Sequence, residues 1–233
     1  MLKQSDNILE NELFKSIYEK TPDYIKDLNL MDFSNKGEFT FTLKKEHLKP
    51  YDEQTNPQGL NLEEWFAGYA KEAKVSTAGI RGPQNILNPQ DTRFPINLVG
   101  IVLATLAKAL VAKEKYPNKR IVKVAGCEVR YNSQLFLDAI ARIQAAQGIE
   151  TLVPQARKTI PIWLASFLAF KLDLLGGEYI TSSHGISVKN ATKDLNCQGS
   201  QYLPEESMEF VDKIQQIFDE TNKNGSYEIK ISA

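Results

Sequence analysis

Serine and basic residues with a spacing suited to phosphoryl chemistry occur near residue 180. The segment Glu178-Tyr-Ile-Thr-Ser-Ser-His184 has the pattern of a short apolar strand that ends in a Ser-Ser-His turn, and Lys193 follows Ser183 by ten residues. A serine at the exposed end of a strand, with a basic residue nearby, can act as a nucleophile or carry a phosphoryl group. Ser183 and Lys193 are therefore the first candidates for catalysis.

A tight turn far upstream supplies a further candidate group. The residues Gly79-Ile-Arg-Gly82 include two glycines, which let a backbone come close to a phosphate, and one arginine. The guanidinium of Arg81 can bind two phosphate oxygens at once. We expect Arg81 to contact a phosphate group.

The same residues also allow a purely structural interpretation. In this interpretation Ser182 and Ser183 cap a turn and have no further role, because serine often occurs in turns. Lys193 would then be a solvated lysine in a polar loop, and the Gly-Ile-Arg-Gly sequence would be an ordinary turn. The spacing of these residues alone favours this interpretation.

Apolar periodicity and turn residues predict alternating strands and helices from Val75 onward. We expect strands at residues 121–125, 149–153 and 178–181, and helices at residues 98–112, 133–147, 161–175 and 204–220. This alternation predicts an α/β fold, a three-layer α/β/α domain with a mostly parallel (mixed) sheet. Ser183 then lies at the carboxyl end of a strand, where open α/β sheets bind their ligands.

Three regions are expected along the chain. Residues 1–74 form an N-terminal helical extension that packs on the domain, with an amphipathic helix suggested by Ile8, Leu9 and Leu13. Residues 75–222 form the α/β/α domain itself. Residues 223–233 are expected to be a linker and the start of a segment that belongs elsewhere.

Several segments together resemble the phosphoglucomutase/phosphomannomutase family, the α-D-phosphohexomutases. The matching segments are Thr77-Ala-Gly-Ile-Arg-Gly82, Gly126-Cys-Glu-Val-Arg-Tyr-Asn-Ser133, Lys158-Thr-Ile-Pro161, Ser183-His184, and Asn190 with Lys193. The resemblance covers about Val75 to Glu206 and matches only the first domain of the family.

The resemblance implies a role for each matching residue. Ser183 would carry the phosphoryl group, His184 would help to hold its loop, and Lys193 would transfer a proton. The remaining candidates would contact substrate or phosphate: Arg81, Arg130 and Asn190. For Arg130 the residues leave other roles open, since it can pair with Glu128, orient the active loop, or belong to a turn that caps a helix.

The chain departs from the family pattern in its loops. Gly185-Ile186 replaces the family's Asn-Pro, and Lys189 and Ala191 replace a tyrosine and a glycine. Proline fixes the backbone and glycine loosens it. The family's magnesium-binding Asp-Gly-Asp-x-Asp-Arg loop belongs to its second domain, and no such run occurs here. We therefore expect Mg²⁺ to contact this chain only through a phosphoryl oxygen on Ser183.

The resemblance implies a phosphohexomutase that interconverts hexose 1-phosphate and hexose 6-phosphate through a bisphosphate intermediate. The expected partners are a hexose phosphate and the remaining domains of the same polypeptide, so that this chain alone is nearly inactive. The alternative is a degenerate mutase-like module that binds sugar phosphates, or assembles with other proteins, without catalysis.

Composition excludes several other classes of function. The formal net charge is -1, so we expect neither nucleic acid nor a membrane surface as a partner. Cys127 and Cys197 are far apart and form no CxxC pair, which favours reduced thiols in the cytoplasm. With two histidines and no Cys/His cluster, a zinc site is not expected.

Overall fold

The structure, a computed structural model, describes residues 12–75 and 79–233. Ile8 and Leu9 of the expected first helix, and Thr77 and Ala78 of the expected turn, lie outside these ranges. The helices are residues 12–20 (α1), Asp23–Lys26 (α2), Lys45–Leu48 (α3), Leu62–Ala73 (α4), Leu98–Lys115 (α5), Ser133–Ala146 (α6), Ile162–Lys171 (α7) and Pro204–Asn224 (α8). The strands are Phe39–Lys44 (β1), Arg81–Pro83 (β2), Val122–Cys127 (β3), Glu150–Leu152 (β4), Gly177–Ile180 (β5), Lys189–Leu195 (β6) and Ser226–Ile231 (β7).

A five-stranded mixed sheet forms the centre of the fold, with the strand order β2-β6-β5-β3-β4. β3 pairs in parallel with both β4 and β5, whereas β6 runs antiparallel to β5 and to β2. The expected strands at residues 121–125 and 178–181 thus lie in one sheet. The predicted α/β fold is confirmed.

Alternating side chains along the strands separate two layers of helices. Val124 on β3 packs with Ala165 on α7 at one face of the sheet. The next residue, Ala125, and Ile180 on β5 join the core that α5 and α6 share at the other face. The period of two in the strands therefore gives the three-layer arrangement.

The helices differ in how far they are covered. α5 is buried on nearly all sides because α6 and α8 both pack against it. α7 buries Ala165 and Ala169 but leaves Trp163, Phe167 and Phe170 exposed. No helix in the described ranges is both long and apolar enough to cross a membrane.

The carboxyl-terminal residues differ from the sequence-based expectation. α8 continues through Asn224, and Gly225 ends it with a left-handed backbone at φ 85°. β7 then pairs antiparallel with β1, and Ile229 and Ile231 are buried in the main core. The prediction that residues 223–233 form a linker is therefore wrong, because these residues complete a two-stranded sheet with the amino-terminal region.

β6 is a strand in a segment whose polar sequence indicates a loop. Its side chains find partners inside the sheet: Asn190 donates to Ser133 Oγ at 3.2 Å, and Thr192 Oγ1 accepts from the backbone N–H of Ile80 at 2.9 Å. Hydrogen bonding thus compensates for burial of these polar groups. The strand is buried along nearly its whole length.

A buried ion cluster joins α5 to the two central strands. Lys108 Nζ lies 2.5 Å from Glu178 Oε2 and 2.6 Å from Asp194 Oδ1, and all three residues are buried. Gln144 on α6 also donates to Glu178, at 2.6 Å. Burial alone would lower the pKa of Lys108, but attraction by Asp194 and Glu178 outweighs burial and raises it. Lys108 therefore stays charged, and the cluster links a helix to β5 and β6.

Replacing Lys108 tests how much the fold depends on this cluster. Lys108→Ala should lower the free energy of unfolding by about 3–5 kcal/mol, because it removes the cation that is hydrogen-bonded to both buried carboxylates. Urea unfolding followed by circular dichroism measures the loss. Lys113→Ala, at an exposed position of the same helix, is the matched control and should change little.

The loss of stability in Lys108→Ala should depend on pH. Burial already raises the pKa of Asp194 in the wild type, and loss of the attraction of Lys108 should raise the pKa values of both Glu178 and Asp194, so that the penalty is largest when both are charged. The stability difference from the wild type should shrink as the pH falls and they take up protons. Equal stability losses in the two lysine variants would contradict the proposed importance of the cluster.

Candidate active site

A cleft of about 860 Å³ lies beside the sheet, between α4, the β2–β6 edge and the loop that follows β5. Three of the predicted site residues line it together: Ser183, Arg81 and Lys193. Arg81 lies more than 100 residues before Ser183 and Lys193 in the sequence, and the sheet brings the three to one place. The arrangement offers a hydroxyl, a guanidinium and an amine to one bound ligand.

Ser183 lies on the exposed loop immediately after β5. Its φ of 52° is in the left-handed region, which costs a residue with a side chain about 1–2 kcal/mol. Its backbone N–H donates to Thr181 Oγ1 at 3.0 Å, and the N–H of Gly185 donates to the carbonyl of Ser182 at 2.9 Å. The loop is therefore a tight turn that presents Ser183 to the cleft.

Arg130 contacts the loop backbone, which agrees with one of the roles that the sequence leaves open. Its Nε donates to Glu128 Oε1 at 2.6 Å. Its terminal nitrogens donate to four loop carbonyls, those of Ser183 at 3.1 Å, Gly185 at 3.0 Å, Ile186 at 3.1 Å and Lys189 at 3.2 Å. The described contacts of Arg130 are thus with protein, and its side chain does not line the cleft.

Glu128 holds the other side of the same loop. Its Oε1 accepts the backbone N–H of Ser182 at 2.9 Å. Burial alone would raise the pKa of Glu128, but hydrogen bonds from Arg130, Thr181 and Ser182 outweigh burial and lower it. Glu128 is therefore a carboxylate at neutral pH.

Lys193 is a largely buried cation on β6. Its Nζ donates to Gln201 Oε1 at 2.9 Å. Burial lowers the pKa of Lys193, and the nearby positive charge of Arg81 lowers it further. Lys193 therefore loses its proton at a lower pH than a surface lysine does, which suits a group that transfers protons.

Arg81 is exposed on β2, opposite Ala191 of β6. Because side chains alternate along a strand, Ala191 and Lys193 point to the same face, and Arg81 shares it. The flanking glycines are required by close packing. A Cβ at Gly79 would lie 2.2 Å from Thr192 Oγ1, and Gly82 has a φ of 148° with Pro95 against it.

Asn190 and His184 do not line this cleft. Asn190 is fully buried, and its amide donates to the carbonyl of Tyr131 at 3.3 Å and to Ser133 Oγ. It links β6 to the start of α6 and is not placed to contact a phosphate in the cleft. His184 is exposed on the loop next to Ser183.

One wall of the cleft comes from residues that the motifs do not identify. Glu64, Gly68, Lys71 and Glu72 on α4 line it. Their spacing of four, three and one residues places them on one helix face, so the polar face of the amphipathic α4 was the available signal. Arg93 also lines the cleft and had no distinctive signal in the sequence, whereas Lys189, which lines it too, stands in a segment that matches the family.

The described residues by themselves do not form a magnesium site. Across residues 12–75 and 79–233, no three His, Cys, Asp or Glu side chains group closely enough to hold a metal ion. Magnesium takes several oxygen ligands. The donor set of these residues therefore does not fit a magnesium ion held by this chain alone.

Comparison with known proteins identifies the family. The family model "Phosphoglucomutase/phosphomannomutase, alpha/beta/alpha domain I" matches residues 72–224, which is more than half of the chain. The chain therefore belongs to the phosphoglucomutase/phosphomannomutase family, and the resemblance of its motifs is confirmed at that level.

Two relatives show how much of such a protein this chain represents. It is 28% identical over 158 residues to a phosphoglucomutase from Staphylococcus saprophyticus, covering 66% of this chain and 26% of the relative. The open form of pp63/parafusin, a phosphoglucomutase from Paramecium, aligns over 83% of this chain and 29% of that one, with a TM-score of 0.50 and 18% identity. The second likeness supports the fold. The chain spans about a quarter to a third of the length of these relatives.

The electrostatic coupling of Lys193 and Arg81 leads to a measurable shift. The pKa of Lys193 should lie below its ordinary value of 10.5, and Arg81→Gln should raise it by removing a like charge. Reductive ¹³C-methylation and a pH titration by NMR measure this pKa, with Lys193→Gln to assign the signal.

A matched control separates coupling from general changes in charge. Lys71→Gln also removes a cation that lines the cleft, but Lys71 lies on α4 and is not a cause of the Lys193 shift. It should leave the pKa of Lys193 nearly unchanged. A wild-type pKa at or above 10.5 would show that burial and Arg81 do not act on Lys193 in this way.

Proposed function

We propose that this chain is the phosphoserine-bearing domain of a phosphohexomutase, which interconverts hexose 1-phosphate and hexose 6-phosphate. The observation that carries the proposal is that Ser183, Arg81 and Lys193 line one cleft in a chain of this family. The surroundings of each residue support the role that its matching motif implies. The side chains of Ser183 and Arg81 are exposed, and the pKa of Lys193 is lowered.

The proposed reaction transfers a phosphoryl group twice. In the first transfer the bond between phosphorus and Ser183 Oγ breaks, and a bond forms from phosphorus to a hydroxyl of the hexose monophosphate. Protonated Lys193 gives its proton to the departing Oγ, while water or a base outside this chain takes the proton of the sugar hydroxyl. The resulting hexose bisphosphate reorients.

The second transfer reverses the bond changes at the other phosphate. Ser183 Oγ attacks that phosphorus, neutral Lys193 takes the proton of the serine, and the bond to the sugar oxygen breaks. The sugar oxygen regains a proton. Ser183 is again phosphorylated, and the product is the isomeric monophosphate. The lowered pKa of Lys193 supports both directions, because a general acid or base works best with a pKa nearer the working pH.

The charges around the cleft suit a phosphorylated ligand. Among the described residues that line it, the cations are Lys71, Arg81, Arg93, Lys189 and Lys193, and the carboxylates are Glu64 and Glu72. Positioned cations stabilise the charge on a transferring phosphoryl group. The carboxylates on α4 can accept hydrogen bonds from sugar hydroxyls.

The complete activity is proposed to need groups from outside this chain. The family is generally Mg²⁺-dependent, and bound Mg²⁺ would neutralise phosphoryl charge, with a phosphoryl oxygen on Ser183 as its ligand from this chain. Because phosphoryl transfer depends mostly on positioning and charge stabilisation, the chain alone should be nearly inactive. We propose that further domains of one cytoplasmic polypeptide supply the other ligands and the rest of the sugar site.

The second candidate function is a mutase-like module that binds sugar phosphates, or serves assembly, without catalysis. The departure at Gly185-Ile186 favours it, because this loop lacks the proline that fixes the backbone in the family pattern. Binding of a hexose phosphate without a phosphoryl group ever appearing on Ser183 is the result that distinguishes this module from an enzyme.

Replacing Ser183 tests the proposed carrier. The protein is incubated with hexose 1,6-bisphosphate and examined by peptide mass spectrometry, and phosphosugar interconversion is assayed in the polypeptide that contains it. Ser183→Ala should abolish both the modification and the interconversion, because the hydroxyl that holds the phosphate is gone. Ser182→Ala is the matched control and should retain both. Undiminished interconversion in Ser183→Ala would refute the mechanism.

Replacing Lys193 tests the proton transfer. Lys193→Ala should slow turnover by about 10²–10⁴-fold, the usual effect of losing a general acid or base. Lys189→Ala, another lysine that lines the cleft, controls for the loss of positive charge and should have a smaller effect. Equal effects in the two variants would argue for charge alone as the role of Lys193.

A further inference from the structure

We propose that Arg130, together with Glu128, is a positioning residue that fixes the backbone of residues 181–189 and thereby aims Ser183 Oγ into the cleft. The inference deepens the proposed function and rests on it. Its basis is the set of hydrogen bonds that this pair makes along the whole loop.

Arg130 holds the loop at several points at once. Its guanidinium is a rigid planar fork, and its terminal nitrogens donate to four carbonyls between Ser183 and Lys189. The side chain is only 12% exposed, and its bonds to Glu128 and to the carbonyl of Gly185 are partly buried, whereas those to Ser183, Ile186 and Lys189 are open to solvent. Four acceptors that are spread over seven residues cannot all be reached unless the loop keeps one shape.

Glu128 holds the same loop as a hydrogen-bond acceptor, whereas Arg130 holds it as a donor. The two residues together are called the clamp. Glu128 binds the backbone N–H of Ser182 and the Nε of Arg130 with the same oxygen. Its own backbone N–H donates to the carbonyl of Ile180 at 3.0 Å, directly after the buried end of β3. The clamp therefore begins directly after β3, and the central sheet fixes its orientation.

The loop's own hydrogen bonds are short-range turns, from Ser183 to Thr181, from Gly185 to Ser182 and from Lys189 to Ile186, and do not join its two ends. Gly185 is free to adopt many backbone angles in place of a fixed one, and the loop from Thr181 to Lys189 contains no proline. Ser183 is held at a φ of 52°, and its carbonyl is one of the acceptors of Arg130. Removing the guanidinium should therefore release Ser183 from the strained backbone angle that presents its hydroxyl.

This role predicts a rate effect without a matching affinity effect. Arg130 does not line the cleft, so its loss should not weaken binding of the phosphate donor directly. A displaced Oγ should instead slow transfer, because a misplacement of about 1 Å can cost about 10²-fold in rate. A direct contact with the phosphate would give the opposite pattern, with weaker binding.

The first experiment measures loop order without any reaction. Amide hydrogen exchange is followed by NMR in the wild type, Arg130→Ala and Arg130→Lys, with Arg120→Ala as the control for loss of an exposed ion-paired arginine. The amides of Ser182, Ser183 and Gly185 should exchange at least about tenfold faster in both Arg130 variants, since lysine lacks the planar fork. Exchange in α5 and β3 should stay the same. Unchanged loop exchange in Arg130→Ala would overturn the inference.

The second experiment measures Ser183 phosphorylation in single turnovers with hexose 1,6-bisphosphate, in the polypeptide that contains this chain. Arg130→Ala should reduce the maximal rate by about 10²-fold and leave the half-saturating concentration of the donor nearly unchanged. Added guanidinium should restore part of the rate, and Arg120→Ala should behave as the wild type. A raised half-saturating concentration with an unchanged maximal rate would refute positioning and indicate a binding contact.

The two experiments separate failure of this inference from failure of the proposed function. If the wild type is phosphorylated at Ser183 and Arg130→Ala reacts equally fast, the positioning role is wrong while the function stands. If the wild type is never phosphorylated at Ser183, the proposed function fails, and with it the inference that Arg130 serves the reaction.

Discussion

The fold depends on the buried contact of Lys108 with Glu178 and Asp194. Buried charges carry a large desolvation cost, and the hydrogen bonds and opposite charges within the cluster compensate for part of it. The cluster joins α5 to β5 and β6, which are the two strands that carry the site. Ser183 follows β5 by three residues, and Lys193 is the neighbour of Asp194. The positions of Ser183 and Lys193 therefore depend on this buried ion cluster.

β6 carries side chains of both the buried ion cluster and the cleft. Because side chains alternate, Asp194 and Lys193 point to opposite faces of the sheet, one to the ion cluster and the other to the cleft. A shift of this strand by one residue would exchange the two and bury Lys193 against Lys108. The register that pairs Glu178 with Asp194 therefore also decides that an amine, and not a carboxylate, faces the cleft.

Sequence reasoning succeeded where apolar periodicity was strong and failed where polar partners replaced it. β3, β5, α5 and α6 are visible in the sequence because their buried faces are apolar. β6 is polar, and its burial is possible only through partners such as Lys108 and Ser133 that lie 57 or more residues away. The grouping of Ser183, Arg81 and Lys193 in one cleft agrees with their motifs. Pairing of Arg130 with Glu128 and contact with the loop were among the roles that the sequence left open, but the choice between them needs the tertiary arrangement, as does the wall from α4.

The loop of Ser183 shows that a rigid backbone can be obtained by two different physical means. Proline restricts φ covalently and needs no partner, whereas the Glu128–Arg130 pair restricts the loop only while both groups are charged and correctly placed. The lowered pKa of Glu128 keeps that condition satisfied at neutral pH. Because the pair follows the carboxyl end of β3, the rigidity of the loop derives from the central sheet. The sequence Gly185-Ile186 is therefore compatible with an ordered loop, since the turns within the loop are joined by bonds from the Glu128–Arg130 pair at the end of β3.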